Sequence, residues 1–356
     1  MNNRKVIIII IISIITFIAV LGIYFNYENP KPSNITSKTD MLGRSVSVPA
    51  KINKVASISY STTVAIYMLA PEKLIGWDTR RSEKENIYML DKYRNLPYMA
   101  GGKKDANYET FIKMNPDIVF VGHGRSLEEV NKIQEKLGTI PVVDVENDNS
   151  LTNIIPAIKF LGNILDENEK SDNLIKFYDK VLTEVNTTAS KIPQNEKKKV
   201  YYARDISGLM TNPPGSAHTQ LIEICGGTNI VEAPITKGGV GVSMELILKW
   251  NPDVIIVKDP IFYEKIYSDP LWRNINAVKN KEVYLVPNSP FNWFEGPPGV
   301  NTIIGIPWMA KVLYPDKFKN LDLKGLTQEF YSEFYHYNLS ESEVESLLRS
   351  SGLKNF

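Results

Sequence analysis

The amino-acid sequence predicts an α/β protein of two lobes, each built on a mostly parallel sheet and joined by one long rigid helix. Strand and helix patterns alternate over residues 41–150 and resume after residue 198, which is typical of parallel sheets covered by helices. Between these blocks, residues 151–190 show helical periodicity without a strand signal, and the part from Glu167 onward is predicted to be a single helix.

A repeated module supports the division into two lobes. The stretches NYETFIKMNPDIVFV at 107–121 and SMELILKWNPDVIIV at 243–257 share a cap, an early Glu, an apolar helical run, Asn-Pro-Asp and an apolar strand. We therefore assign residues 41–165 to the first lobe, 166–192 to the connecting helix, and 198–356 to the second lobe with its terminal helices.

The N-terminus is distinct from both lobes. Residues 6–25 form an uncharged apolar run, and about 20 such residues are needed to cross a bilayer as a helix. Arg4 and Lys5 precede this run and favour a cytoplasmic N-terminus. We predict a transmembrane anchor at 1–26 and a linker at 27–40, which places the lobes outside the cell. A cleaved signal peptide is the alternative, although its apolar region is usually only about 7–15 residues long.

Composition excludes several classes of protein. The chain has 356 residues, 43% of them apolar, and a net charge of +1, so the sequence does not predict a nucleic-acid partner. Cys225 is the one cysteine, which excludes an internal disulfide and a cysteine-rich metal cluster. We expect Cys225 to be a core residue.

The first lobe is predicted element by element from its apolar periodicity and caps. Ser61 or Thr62 is expected to cap the first helix. The predicted order is a strand or hairpin at 41–49, a strand at 54–59, a helix at 60–70, a strand at 73–78, a helix at about 108–114, a strand at 118–121, a helix at 126–138 and a strand at 140–146.

The second lobe repeats this alternation and ends in helices. The predicted order is a strand at 200–205, a helix at 218–227 with a Gly stop, a helix at 244–250, a strand at 253–259, a helix near 270–276, a strand at 282–287, and three helices from Gly305 to the C-terminus.

The repeated glutamates suggest a paired contact. Glu109 and Glu245 each lie near the second position of a helix capped by Asn107 or Ser243. A carboxylate in the first turn of a helix offsets the positive end of the helix dipole. This stabilising effect alone would explain one such glutamate, without a role in binding a partner. A Gly pair also precedes each module, so two equivalent exposed carboxylates would suit a partner with two matching basic pockets.

The chain resembles the substrate-binding proteins of ABC importers for iron-siderophores, haem and vitamin B12. The resemblance covers about residues 41–318 and rests on MLGRSVSVPAKINKVAS, the repeated NPD modules, the connecting helix and LWRNINAVKNKEVYLVP. It implies the class III periplasmic-binding-protein fold, with two Rossmann-like lobes. It also implies that Glu109 and Glu245 dock onto a permease dimer served by cytoplasmic ATPases. A lipid-anchor Cys, common in bacterial members, is missing, and the membrane helix would tether the protein instead.

The resemblance also implies a ligand cleft where the carboxyl ends of the strands meet, as in open α/β sheets generally. Aromatic faces there would cover a bulky ligand, arginines would pair with carboxylate or catecholate oxygens, and His123 or His218 would ligate a chelated metal. The expected ligand-binding residues are Tyr60, Ser61, Trp77, Gly102, Lys103, His123, Arg125, Arg204, His218, Trp293 and Phe294, with Gly101 and Lys258 at further strand ends.

We therefore expect a monomeric binding protein, without a cofactor, that captures a metal chelate such as an iron-siderophore. A cobalamin, haem or nickel-chelate ligand remains an alternative within the same fold, and a surface adhesin or sensor domain is an alternative function. A bare-metal site needs three or four His and carboxylate ligands, and the chain has three histidines. An enzyme is not expected, because no nucleotide-binding, nucleophile-elbow or zinc-protease motif occurs.

Overall fold

The computed structural model describes residues 35–99, 106–122, 124–145, 150–151, 154–236, 238–295 and 299–356. Several sequence predictions lie outside these ranges: the anchor at 1–26, the first part of the linker at 27–34, Gly101, Gly102, Lys103 and His123. Within the described ranges, no helix combines the length and the apolar character required to cross a bilayer.

A β-hairpin opens the described chain. Strands β1 (Ile35–Thr39) and β2 (Ser45–Pro49) pair antiparallel, and the Asp40 carboxylate accepts the backbone N–H groups of Leu42 and Arg44 in the turn. The predicted linker at 27–40 was therefore wrong for residues 35–39. Strand β1 is polar and mostly exposed, so its pairing depends on backbone hydrogen bonds that leave no apolar pattern in the sequence.

The first lobe is built on a parallel sheet of three buried strands, in the order β3 (Val55–Ser57), β4 (Ile118–Gly122) and β5 (Val142–Val145). The predicted strand at 73–78 forms only isolated bridges, from Val55 to Leu74 and from Trp77 to Tyr98. The helices of the first lobe are α1 (Tyr60–Leu69), α2 (Asp91–Arg94), α3 (Tyr108–Met114) and α4 (Leu127–Leu137). The cap of α1 is Ser59 rather than Ser61 or Thr62.

One long helix connects the lobes, and a second helix packs on it. Helix α5 (Ile154–Leu165) packs on the connecting helix α6 (Asn168–Ala189), which lies within the predicted range of 166–192. Leu174, Tyr178, Val181 and Val185 lie on one buried face of α6, at the spacing of an amphipathic helix. Gly162 of α5 lies directly against the Ser171 side chain, so the absence of a side chain there permits the close helix contact.

The second lobe is also built on a parallel sheet. Its strand order is β11 (Val283–Leu285), β10 (Val254–Val257), β6 (Lys199–Ala203) and β8 (Thr228–Asn229). A small antiparallel pair, β7 (Met210–Thr211) and β9 (Val240–Gly241), lies beside it. The helices are α7 (Gln220–Ile224), α8 (Met244–Trp250), α9 (Pro260–Lys265), α10 (Asn276–Lys279), α11 (Gly305–Leu313), α12 (Leu323–Phe334) and α13 (Glu341–Ser350). Short 3-10 turns occur at Gln194–Glu196, Trp272–Asn274 and Val300–Thr302.

One apolar core joins the two lobes. It runs from Val55 and Phe120 of the first sheet, through Leu174 of the connecting helix, to Tyr202 and Trp293 of the second lobe. The outer face of each sheet packs in a smaller cluster of its own. Cys225 is fully buried, as predicted, and burial raises the pKa of its thiol.

Candidate ligand-binding site

The repeated module has the same local structure in both lobes. Helices α3 and α8 are seven residues long, and each is capped by a side chain: Asn107 accepts from the Thr110 N–H, and Ser243 accepts from the Leu246 N–H. Each ends at an asparagine in the left-handed region, Asn115 or Asn251, a conformation that asparagine tolerates better than most residues.

The two module glutamates are both exposed in the first turn of their helices. A hydrogen bond from the Ser243 side chain holds the pKa of the Glu245 carboxyl below its ordinary value. Each helix also exposes an aliphatic side chain three positions after its glutamate. Ile112 is 50% exposed and Leu248 is 42% exposed, so each lobe presents a carboxylate beside an apolar side chain.

Residues 289–295 and 299–302 bring the strand ends of the two lobes together. On the first-lobe side, the Phe291 ring lies edge-on to Tyr60, with centroids 6.4 Å apart, and Gly299 lies against Ser61. Both contacted residues follow strand β3. On the second-lobe side, Glu295 contacts residues that follow strands β6 and β10. The carboxyl edges of both sheets therefore face this segment, as the general rule for α/β sheets predicts.

Arg81 links the first lobe to the same segment. Its guanidinium donates to the Pro290 carbonyl and to the Asn86 side chain. The guanidinium also lies 4.5 Å from the Phe291 ring centroid and 4.9 Å from that of Trp77. Stacking and hydrogen bonding together fix its position.

Glu295 lies at the centre of a polar cluster in the second lobe. Its carboxylate accepts from His218 Nδ1 at 2.6 Å, Lys258 Nζ at 2.5 Å and Arg204 Nε at 3.3 Å. The Tyr202 hydroxyl donates to it at 2.9 Å. We call Arg204, His218, Lys258 and Glu295 the cation cluster. Because an ionised carboxylate only accepts, His218 carries its proton on Nδ1, and Nε2 is the ring nitrogen that Glu295 does not engage.

The cluster is buried at its centre and open at its rim. The Glu295 side chain is 1% exposed, whereas those of His218, Arg204 and Lys258 are 20%, 23% and 35% exposed. Burial raises the pKa of Glu295, but His218, Lys258 and Arg204 overcome this effect and hold that pKa well below its usual range. With Glu295 ionised, Arg204 and Lys258 leave the cluster with one net positive charge, even when His218 is neutral.

The loop that carries Glu295 is itself held in place. Asn292 Oδ1 accepts the backbone N–H groups of Phe294 and Glu295 at 3.0 and 2.8 Å, and Asn301 donates to the Asn292 carbonyl at 2.6 Å. The Phe294 ring packs on Tyr202, with centroids 4.8 Å apart. The carboxylate therefore has a fixed position around which Arg204, Lys258 and His218 gather.

The structure places the predicted ligand-binding residues in different environments. Arg204 and His218 come together in the cation cluster. Tyr60 and Arg125 are half-buried, and Ser61 is buried behind Tyr60. Burial, partly offset by Arg81, raises the pKa of Tyr60 to about 12, so its hydroxyl stays protonated. The Nε atom of Arg125 is buried, and the described residues provide no hydrogen-bond partner for it.

Three predicted aromatic contacts are packed in the core instead of facing an open surface. Trp77, Trp293 and Phe294 are 3%, 0% and 1% exposed. Trp77 donates its ring N–H to the Tyr93 carbonyl at 2.8 Å, and the Trp293 ring lies against Tyr331. These rings were selected because they follow predicted strands, but that position does not distinguish a ligand-facing side chain from one that packs between lobe and terminal helices.

Sequence reasoning missed Glu295 and Tyr202 and gave Lys258 only as a strand-end residue. Glu295 lies in the stretch FNWFEG, where a lone carboxylate among aromatic residues resembles an exposed loop residue. The one available signal was its position shortly after strand β11, near two other strand ends. Among the described residues, no group of three or more His, Cys, Asp or Glu side chains is placed to hold a metal ion.

The chain is similar in sequence to known binding proteins. The sequence model described as periplasmic binding protein matches residues 55–290. The molybdate-binding protein MolA of Haemophilus influenzae is 27% identical over 326 residues, covering 83% of this chain and 90% of MolA. The Fe(3+)-citrate-binding protein YfmC of Bacillus subtilis is 20% identical over 201 residues, covering 55% of this chain and 62% of YfmC.

A solved structure has the same architecture. The ABC transporter solute binding protein from Sulfurospirillum deleyianum superposes with a TM-score of 0.80 and 28% identity, covering 88% of this chain and 99% of that protein. The family match covers more than half of the sequence, and the parallel sheets and connecting helix agree with it. The chain therefore belongs to the periplasmic binding protein family, has its class III fold, and is an extracytoplasmic solute-binding protein of the ABC-transporter type and not an enzyme.

Proposed function

We propose that this protein captures a negatively charged, metal-containing small molecule between its lobes and delivers it to a membrane permease. The observation that best supports this proposal is the cation cluster, in which Arg204, Lys258 and His218 surround the buried Glu295 carboxylate. Charged donors at a partly desolvated rim favour an anion with oxygen acceptors. Two relatives are named for such ligands, molybdate and ferric citrate.

The ligand class includes an anionic ferric chelate of the siderophore type and a compact oxyanion such as molybdate. Arg204 and Lys258 would donate to ligand oxygens in both cases. His218 would act differently. Glu295 holds the proton on Nδ1, so a neutral His218 presents a lone pair on Nε2 that suits an open coordination position of a chelated metal. In the first lobe, Tyr60 and Arg125 are the proposed contacts.

Direct binding measurements test the ligand class. Isothermal titration calorimetry with molybdate and with ferric citrate should give a dissociation constant of about 100 µM or tighter for one of them, equivalent to about −5.5 kcal/mol or better. Cyanocobalamin, which carries no net charge, serves as the comparison ligand and should bind more weakly. Binding of cyanocobalamin in preference to both anions would contradict the proposal.

We propose further that Glu109 and Glu245 dock on a permease made of two equivalent subunits. The module is duplicated within one chain, including its cap, its exposed carboxylate and its exposed aliphatic residue. A partner with two identical basic pockets would match this arrangement. The predicted anchor at 1–26 would hold the lobes near that permease at the outer face of the membrane.

A further inference from the structure

We propose that Glu295 is a positioning residue that holds Arg204, Lys258 and His218 in a ligand-ready arrangement. This inference rests on the proposed function, because it concerns how the same site is built. Glu295 does not face the ligand itself, since its side chain is 1% exposed. It acts through the three side chains that contact its carboxylate.

The contacts divide between the two carboxylate oxygens. Oε1 accepts from Tyr202, Arg204 and Lys258, and Oε2 accepts from His218. Lysine and arginine side chains otherwise lose considerable rotamer freedom when a ligand orders them. A carboxylate that holds them before the ligand arrives removes part of that cost.

The three side chains that contact Glu295 come from separate parts of the second lobe. Arg204 follows β6, Lys258 follows β10, and His218 precedes α7. Glu295 comes from the loop that also contacts the first lobe through Phe291. The Glu295 carboxylate therefore defines where the other side chains of the cation cluster lie relative to the first lobe.

Glu295→Gln separates positioning from simple charge. The substitution removes a negative charge beside the site, so long-range electrostatics alone would strengthen anion binding. A glutamine oxygen can replace Oε1 toward the three donors, but its NH2 group then faces His218 Nδ1. That nitrogen must accept, so the His218 proton moves to Nε2 and the ligand-facing lone pair is lost.

The experiment uses the full chain with selectively ¹⁵N-labelled histidine, which gives three pairs of ring nitrogen signals, Nδ1 and Nε2, because the sequence has three histidines. The wild-type His218 signal should show the proton on Nδ1, and Glu295→Gln should move it to Nε2. Affinity for ferric citrate, whose iron would use the lone pair, should fall about tenfold or more in the same variant.

Glu282→Gln is the matched control. Like Glu295, Glu282 accepts a hydrogen bond from a tyrosine hydroxyl, that of Tyr284 at 2.6 Å. The Glu282→Gln substitution removes the same charge from the same lobe, and Glu282 is not part of the cation cluster. It should leave the His218 tautomer and anion affinity unchanged. Tm values for both variants identify any general loss of folding.

The tautomer measurement tests the positioning role of Glu295, and the affinity measurement tests the proposed ligand class. An unchanged His218 tautomer in Glu295→Gln, or tighter binding of ferric citrate, would overturn the role of Glu295. If the wild-type protein binds neither anion while the tautomer changes as expected, the positioning role stands and the proposed ligand class fails.

Discussion

At the scale of single residues, buried carboxylates in this protein respond to pH in opposite directions. Asp78 is 1% exposed, and burial, only partly offset by Thr63 and Arg81, raises its pKa from 3.8 to about 6. Glu295 is equally buried, yet its cationic neighbours lower its pKa. The partners of each carboxylate therefore decide whether neutral pH favours or disfavours the folded state.

Asp78 gives a prediction of defined sign. A folded pKa above the unfolded one means that the folded state binds more protons between pH 4 and 6, so this carboxyl contributes stability below pH 4 that is lost as pH rises through 6. The loss is about 3 kcal/mol. In Asp78→Asn, the unfolding free energy from urea titrations should fall less over this window than in the wild-type protein. Parallel curves for the two proteins would show that Asp78 does not titrate as argued.

At the scale of elements, the sequence predicted the helices whose caps and apolar periodicity are local features of the chain. The cap Ser126 and its partner Glu129 are three residues apart, and the helix they begin was predicted. Helix α6 was predicted because its buried face repeats with helical period. Strand β1 was missed because its partner, not its own pattern, defines it. The cation cluster was missed in part because Arg204, His218 and Lys258 lie 91, 77 and 37 positions from Glu295.

Helices α3 and α8 give the prediction at this scale. Replacing Glu109 and Glu245 together with Gln should leave ligand affinity within about twofold, a change of under about 0.4 kcal/mol, because both side chains are exposed and lie outside the cation cluster. Cellular uptake of the labelled anion should be lost, since docking would lose both charges. The measurement pairs uptake with calorimetry on the same variants.

Glu184→Gln together with Glu264→Gln is the control for this pair. Both are exposed carboxylates outside the two modules, so the control removes the same total charge and should preserve uptake. Normal uptake by the Glu109 and Glu245 variant would refute the docking assignment.

At the scale of the whole molecule, the continuous core limits relative motion of the lobes. The core passes from the first sheet through α6 into the second lobe, and Arg81 and Phe291 add a contact between the first lobe and the loop that carries Glu295. A single helix within a shared core favours modest closure over a large hinge rotation.

This rigidity can be measured in solution. Small-angle X-ray scattering should give the same radius of gyration, within experimental error, without ligand and with a saturating concentration of the bound anion. A clear decrease on binding would indicate hinge closure and contradict the inferred rigidity.

Native mass spectrometry of the protein purified from its own source tests the central claim most directly, because it detects the natural ligand without a choice of probe. The wild-type protein should carry a metal-containing anion, and Arg204→Gln should lose it. Arg273→Gln, which removes an exposed arginine elsewhere in the same lobe, should keep it. An uncharged ligand on the wild-type protein, or an anion retained in full by Arg204→Gln, would contradict the account.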